Sequence, residues 1–244
     1  MLHIAICEDE ELHLKTIQEE LQKVSASEKY GVLDIHSYLN REEQEKLYTE
    51  DSLRFDIIFM DIELDGLEIS GIELSKRIHQ IHPLTQIIFI TQYEEYCSDV
   101  YEERHVYFIH KPKMDRYIPK ALEKAVKVLR EEEKNYLHIT YKRKESYVPI
   151  HDILYLERNK RTTMIYCAGE SLRCYEAGEK LGELTERLGE SFVVCHRSYA
   201  VNVSKITGFE KKRIRIVGGT SIPIGKDSNE TQVKQRFAQL FTLQ

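Results

Sequence analysis

The strongest constraint on this chain is the run Phe55-Asp56-Ile57-Ile58-Phe59-Met60, which stops at Asp61. It is short, almost wholly apolar, and rich in aromatic and β-branched residues. A strand covered on both faces reads this way. The carboxylate arrives as the apolar run ends, and Ile62-Glu63-Leu64-Asp65-Gly66 continues as an acidic loop. Ligands of open α/β sheets sit at the carboxyl ends of strands, so Asp61 stands where chemistry is placed. Three other runs share the design. Leu2-His3-Ile4-Ala5-Ile6-Cys7 ends in Glu8-Asp9-Glu10, residues 86–90 end in Thr91, and residues 106–110 end in Lys111-Pro112.

Helical spacing fills the intervals. Leu14, Ile17, Leu21 and Val24 predict a first helix, and Ser70 is an N-cap before Ile72, Leu74, Ile78 and Ile81, with Pro83 closing that region. Ile118, Leu122, Ala125, Val126 and Leu129 predict a last helix with a clear inner face. Residues 32–36 read weakly as a strand, residues 41–50 as a polar helix, and residues 93–103 as the least apolar helix. Five βα units imply a doubly wound parallel sheet.

Composition narrows the class. Hydrophobic content of 41% and charged content of 31% describe a globular chain rather than a disordered one. No apolar run approaches the roughly 20 residues of a membrane helix, and the N-terminus reads as a strand rather than a signal peptide. A cytoplasmic location without membrane contact is therefore expected. Residues 1–130 hold 16 Lys and Arg against 26 Asp and Glu, a net of −10; residues 131–244 hold 19 against 15, a net of +4. That asymmetry suggests a cation site in the first half and a polyanion partner for the second. Five cysteines, none in a C-x-x-C pair, read as reduced thiols. Cys167 and Cys174 could meet across a hairpin, which leaves redox sensing as an alternative.

Taken in order, the acidic pair Glu8-Asp9, then Asp61, Thr91 and Lys111-Pro112 resemble the receiver domain of response regulators. The resemblance implies a (βα)5 fold with strand order 2-1-3-4-5 and Asp61 as phosphoacceptor. It also implies Mg²⁺ held by Glu8, Asp9, Asp61 and the backbone carbonyl of Glu63. Three converging carboxylates repel one another without a cation, and Mg²⁺ takes carboxylates, waters and phosphate oxygens. Thr91 and Lys111 would contact the phosphoryl group, Phe108 would turn inward as a switch, and the Lys111–Pro112 peptide is often cis in the family. The family's usual first acid is Asp, so Glu8 lengthens that arm by a methylene. The stretch Asp61-x-Glu63-x-Asp65-Gly66 also begins like an EF-hand loop, but its twelfth position is Ile72 and a strand precedes it. Phosphatases with an Asp nucleophile place it after the first strand with a second Asp two residues on, and neither condition holds.

From residue 137 the texture changes to short strands: 137–141, 146–149, 153–157, 163–168, 171–175, 192–195, 199–203, 213–217 and 221–224, separated by turn signals such as Gly218-Gly219. One helix is lined by Leu181, Leu184 and Leu188, a terminal one by Val233, Phe237, Leu240 and Phe241. Ile153-Leu154-Tyr155-Leu156-Glu157, Phe192-Val193-Val194-Cys195-His196-Arg197-Ser198-Tyr199-Ala200-Val201-Asn202 and Ser221-Ile222-Pro223-Ile224-Gly225-Lys226 resemble the LytTR DNA-binding domain, the middle segment most specifically. The resemblance implies a β-rich fold whose loops enter successive major grooves of double-stranded DNA. Candidate DNA contacts are Arg158, Asn159, Lys160 and Arg161, then His196, Arg197 and Ser198, then Lys226. Arg can read guanine bidentately, Asn can read adenine, and Lys meets phosphate.

The expected organisation is a receiver over residues 1–130, a link over 131–136 whose charged start extends the last helix, and a LytTR domain over 137–244. The expected function is a transcription-regulating response regulator, not an enzyme. A sensor histidine kinase would phosphorylate Asp61, and the chain would then bind paired direct repeats as a homodimer. The alternative is a phosphorylation-independent, redox-responsive DNA-binding regulator.

Overall fold

The apolar runs of the first half assemble into one parallel sheet. The computed structural model describes residues 1–26, 29–49, 54–66, 68–169, 172–225 and 230–242. Lys226 lies outside them, as do the side chains of Leu240 and Phe241. The chain divides into two compact units, Met1–Glu133 and Lys134–Gln244.

In the first unit the elements run β1 (Leu2–Cys7), α1 (Glu11–Ser25), β2 (Leu33–Tyr38), α2 (Arg41–Gln44), β3 (Ile57–Asp61), α3 (Gly71–Ile81), β4 (Gln86–Thr91), β5 (Tyr107–His110) and α4 (Met114–Glu133). The strands lie in the order β2-β1-β3-β4-β5, all parallel. Every residue of β3 and β4 is buried, which is why those strands show no alternation in the sequence. Because β1 has β2 on one side and β3 on the other, the topological switch point falls between β1 and β3. Glu8 and Asp61 stand at those two carboxyl ends, where this architecture places ligands.

Local signals set the helices. The Ser70 hydroxyl accepts from the Glu73 amide at 3.3 Å and starts α3. Ile118, Leu122, Ala125, Val126 and Leu129 are buried along α4, which runs through Glu133 and so takes up the first three residues of the charged stretch 131–136.

Two helices expected from the sequence are reduced. Residues 93–103 form two 3-10 turns, Glu94–Cys97 and Asp99–Glu102, in which only Val100 is buried. With one apolar anchor there is no stripe to hold an α-helix on the sheet. For the same reason α2 is a single turn continued by a 3-10 turn, Glu45–Tyr48, anchored by Leu47. The Lys111–Pro112 peptide is trans, since no cis bond occurs among the described residues.

The second unit contains β6 (Tyr136–Tyr141), β7 (Lys144–Pro149), β8 (Ile153–Asn159), β9 (Thr162–Cys167), β10 (Arg173–Ala177), α5 (Leu181–Leu188), β11 (Phe192–His196), β12 (Tyr199–Asn202), β13 (Ile206–Glu210), β14 (Arg213–Ile216), β15 (Ser221–Pro223) and α6 (Glu230–Thr242). A five-stranded sheet in the order β10-β9-β8-β12-β11 is its centre. One face packs Ile153, Leu156, Ile165 and Ala200 against the β6–β7 hairpin and α5. The other packs Tyr155, Val193 and Val201 against β13–β15 and α6. Strand β13 is not apparent in the sequence. Gly208 and a register shift between Ile206 and Gly208 interrupt its alternation.

Candidate functional site

At the carboxyl edge of the parallel sheet, the ends of β1, β3 and β5 bring four of the sequence-identified groups together. The Lys111 ammonium lies 2.6 Å from Asp61 Oδ2 and 2.9 Å from the Glu8 carboxylate. All three side chains are buried: Glu8 is 1% exposed, Asp61 and Lys111 5%. Asp61 Oδ1 accepts from the Ile62 amide at 2.7 Å, and Glu8 Oε1 from the Glu10 amide at 3.2 Å. Asp9, half-buried, accepts from the Asp65 amide at 3.0 Å, which ties the two acidic loops together. One oxygen each from Glu8, Asp9 and Asp61 can be chosen so that all lie within 4.8 Å of one another.

Two buried carboxylates share one ammonium, and the titration of the group follows from that. Burial, then the neighbouring Asp61 charge, pushes Glu8 from 4.5 up to about 7 despite Lys111. Burial also holds Asp61 above the usual aspartate value, against the pull of Lys111. Burial works against the Lys111 ammonium, but its hydrogen bonds to Asp61 and Glu8 outweigh that and raise it.

This donor set fits a hard divalent cation. It offers only oxygen atoms, and Glu8 Oε2, though 2.9 Å from Lys111, has no aligned hydrogen-bond partner. A buried lone pair of that kind is costly without a cation or donor.

The remaining expected residues surround the cluster. Thr91 is fully buried and sits one residue beyond Ile90, the register partner of Asp61. Its hydroxyl accepts from the Tyr93 amide at 3.3 Å. Phe108 is half-buried and packs on the core formed by Ile58, Met60 and Phe89. The Glu63 side chain is exposed and accepts from the Tyr96 hydroxyl at 2.7 Å.

Two participants escaped the sequence reading. His13 Nδ1 lies 3.1 Å from Lys111 Nζ and 3.3 Å from Glu10; its i,i+3 spacing from Glu10 on α1 was the available signal. Gly71 is required because a Cβ there would stand 1.9 Å from the Asp61 carbonyl oxygen.

A second constellation lies at one end of the five-stranded sheet. Arg158, Lys160 and Arg161 at the β8–β9 turn and Arg197 at the β11–β12 turn line a common cleft. The Arg158 amide donates to the Ser198 carbonyl at 2.8 Å, and the Ser198 amide donates to His196 Nδ1 at 3.2 Å. Two clusters separate in sequence therefore form one basic surface. Asn159 is exposed and pairs with Thr162 across the turn. Lys180, before α5, joins the cleft and was not singled out in the sequence. Behind the turns, Glu157 accepts from the Tyr199 hydroxyl at 2.6 Å. That bond, then burial, pushes Tyr199 up to about 12.

The geometry counts against redox sensing by the expected pair. Cys167 sits opposite Arg173 and Cys174 opposite Tyr166, so the two thiols point to opposite faces. Burial pushes Cys167 and Cys195 up to about 12, and burial, then Glu157, raises Cys174. These are un-ionised thiols with little nucleophilicity.

Comparison with known proteins identifies both kinds of domain. The response regulator receiver domain family matches residues 4–123, and the LytTr DNA-binding domain family matches residues 143–237. The sensory transduction protein LytT of Oceanobacillus iheyensis is 30% identical over 213 residues, 84% of this chain and 82% of that protein. The transcriptional regulatory protein YpdB of Escherichia coli is 30% identical over 172 residues, 64% of this chain and 68% of that protein. Among solved structures, the response regulator TrrA of Thermotoga maritima shares 26% identity over 51% of this chain and 99% of that one, with a TM-score of 0.43. No described helix is long and apolar enough to cross a membrane. The chain belongs to the response regulators that join a receiver domain to a LytTR DNA-binding domain, which are transcription regulators rather than enzymes.

Proposed function

We propose that Asp61 accepts a phosphoryl group from a sensor histidine kinase and that this event governs DNA binding by the second unit. The observation that carries the reading is the buried contact of Asp61 with Lys111 and Glu8 at the switch point of the sheet. An Asp61 oxygen forms the new bond to phosphorus as the bond to the donor's histidine nitrogen breaks. The electron pair stays on that nitrogen, which takes up a proton. Glu8, Asp9, Asp61 and the Glu63 carbonyl would hold Mg²⁺, which when bound neutralises charge on the phosphoryl oxygens. Lys111, anchored between two carboxylates, supplies a fixed positive charge to the same oxygens.

The switch is a ligand-biased equilibrium. The Thr91 hydroxyl, now held by the Tyr93 amide, would turn to the phosphoryl group, and half-buried Phe108 would move into the space it leaves. Phosphorylated chains would pair through the surface around residues 93–103 and β5, where Tyr101 is 77% exposed. The two LytTR units would then engage direct repeats in duplex DNA through Arg158, Asn159, Lys160, Arg161, His196, Arg197, Ser198 and Lys226.

Incubation with a small phosphodonor and Mg²⁺, followed by mass spectrometry, tests the first half: one phosphoryl group should map to Asp61 and be absent from Asp61→Asn. A label elsewhere, or one retained in the variant, would overturn it. Neutralising Arg158, Lys160, Arg161 and Arg197 to Ala tests the second. Each lost phosphate contact should flatten the salt dependence of DNA binding by about 0.9 in log–log slope. An unchanged slope would exclude phosphate contact by these residues.

A further inference from the structure

Among the described residues of the second unit, four hairpins close with two-residue turns, and three of them have a dibasic centre. Tyr141 pairs with Lys144 around Lys142-Arg143, Asn159 with Thr162 around Lys160-Arg161, and Glu210 with Arg213 around Lys211-Lys212. The fourth, between His196 and Tyr199, is Arg197-Ser198. Turns of this length favour positive φ and select Asn-Gly or Gly. Here that conformation is taken by Lys142 (φ 50°), Arg143 (68°), Lys160 (54°) and Lys211 (51°). They are the only non-glycine residues with positive φ among those described. All are basic, and a side chain there is disfavoured by contact with the following carbonyl. At its other end β14 turns into β15 through Gly218-Gly219, at φ 82° and 80°, so the unit uses glycine where charge is not needed.

The strained basic turns share one end of the unit. Gly178, which follows β10, lies against the Thr140 carbonyl beside the β6–β7 turn. It also lines the cleft holding Lys160, Arg161 and Arg197. On the far side, the Ile224 amide donates to the Lys212 carbonyl at 2.8 Å and the Gly225 amide to the Cys195 carbonyl at 2.8 Å. The β13–β14 turn is thereby fastened next to His196-Arg197. Lys142, Arg143, Lys211 and Lys212 are exposed and form no ion pair among the described residues. Lys142 stands over the Tyr141 ring at 5.0 Å, and the Lys212 charge acts on the Glu230 carboxylate.

We infer that the β6–β7 and β13–β14 turns are phosphate clamps that grip the DNA backbone on either side of the base-reading loops, through Lys142-Arg143 and Lys211-Lys212. Basic turns gathered at one end of the unit offer several cations to the phosphates of a duplex, and such contacts position a protein without reading sequence. The inference rests on the DNA-binding reading above and lengthens its footprint.

The test replaces each outer turn in the full chain with the residues its backbone prefers, as Lys142→Asn with Arg143→Gly and, separately, Lys211→Gly with Lys212→Asn. Because Asn or Gly relieves the strain at each positive-φ position, both variants should fold at least as well as the parent, which circular dichroism melts check. With a random-sequence duplex as probe, affinity should fall at every salt concentration. The slope of log K against log salt should drop by about 1.8 per variant. Parent binding with an unchanged slope in both variants would overturn the clamps and leave the DNA-binding reading intact. No duplex binding by the parent at any salt concentration would overturn both.

Discussion

Replacing Glu8 with Gln removes one of two buried carboxylates that share the Lys111 ammonium, at almost constant shape. The sign of the effect follows from Glu8 standing at about 7 when folded against an ordinary 4.5. A group whose folded pKa is raised contributes stability that is complete below the unfolded value and is lost as pH rises through the folded one. For Glu8 the window runs from about pH 4.5 to somewhat above pH 7, and the full displacement corresponds to about 3 kcal/mol. Between about pH 5.5 and about pH 8 the parent should lose about 2 kcal/mol relative to Glu8→Gln. The assay is native-state hydrogen exchange of the Ile58 and Phe59 amides in the central strand, in the presence of a chelator and corrected for the intrinsic pH dependence of exchange. These amides report on opening of the first unit without requiring the whole chain to unfold as one. Adding Mg²⁺ at the upper pH should stabilise the parent more than the variant. Parallel pH profiles for parent and variant, or equal stabilisation by Mg²⁺, would refute the shared-ammonium argument.

Other expectations follow from single contacts. Gly71→Ala should destabilise the first unit by about 1–3 kcal/mol and impair phosphorylation of Asp61, because the new methyl would collide with the Asp61 carbonyl; exchange of the same amides and the phosphodonor assay check it. Asn202→Ala should cost the second unit about 1–3 kcal/mol in urea melts. Its side chain donates to the Ile153 carbonyl at 2.9 Å and accepts from the Ser204 amide at 3.1 Å. Changing Cys167, Cys174 and Cys195 to Ser should leave the response of DNA binding to oxidant unchanged, because these thiols are un-ionised and Cys167 and Cys174 point apart.

Much of the architecture was legible because burial leaves a strong trace. The uninterrupted apolar strands ending in Glu8, Asp61, Thr91 and Lys111 pointed to a parallel sheet with a polar carboxyl edge, and the sheet has that form. The failures also have physical causes. Residues 93–103 carry aromatic residues at helical intervals, yet only Val100 is buried, and periodicity without burial does not sustain a helix. A bulge at Gly208 hid β13. Gly71 and His13 act through contacts with residues far along the chain, Asp61 and Lys111, which spacing alone does not encode. Asn202 belonged to the most specific LytTR-like segment, yet its side chain is buried and tied to β8 and the following turn. Its role is to hold strands together. The basic clusters at 158–161 and 196–198 were each visible, but their union needed the antiparallel pairing of β8 with β12.

The most direct test of the central claim is selection of fragmented genomic DNA by the purified chain and by its Asp61→Asn variant, each with and without a small phosphodonor and Mg²⁺. The account predicts that the parent enriches paired, similarly spaced repeats, and that phosphodonor increases this enrichment in the parent alone. Equal enrichment by parent and variant in the presence of donor would contradict control through Asp61. Absence of enrichment under every condition would contradict the DNA-binding role of the second unit.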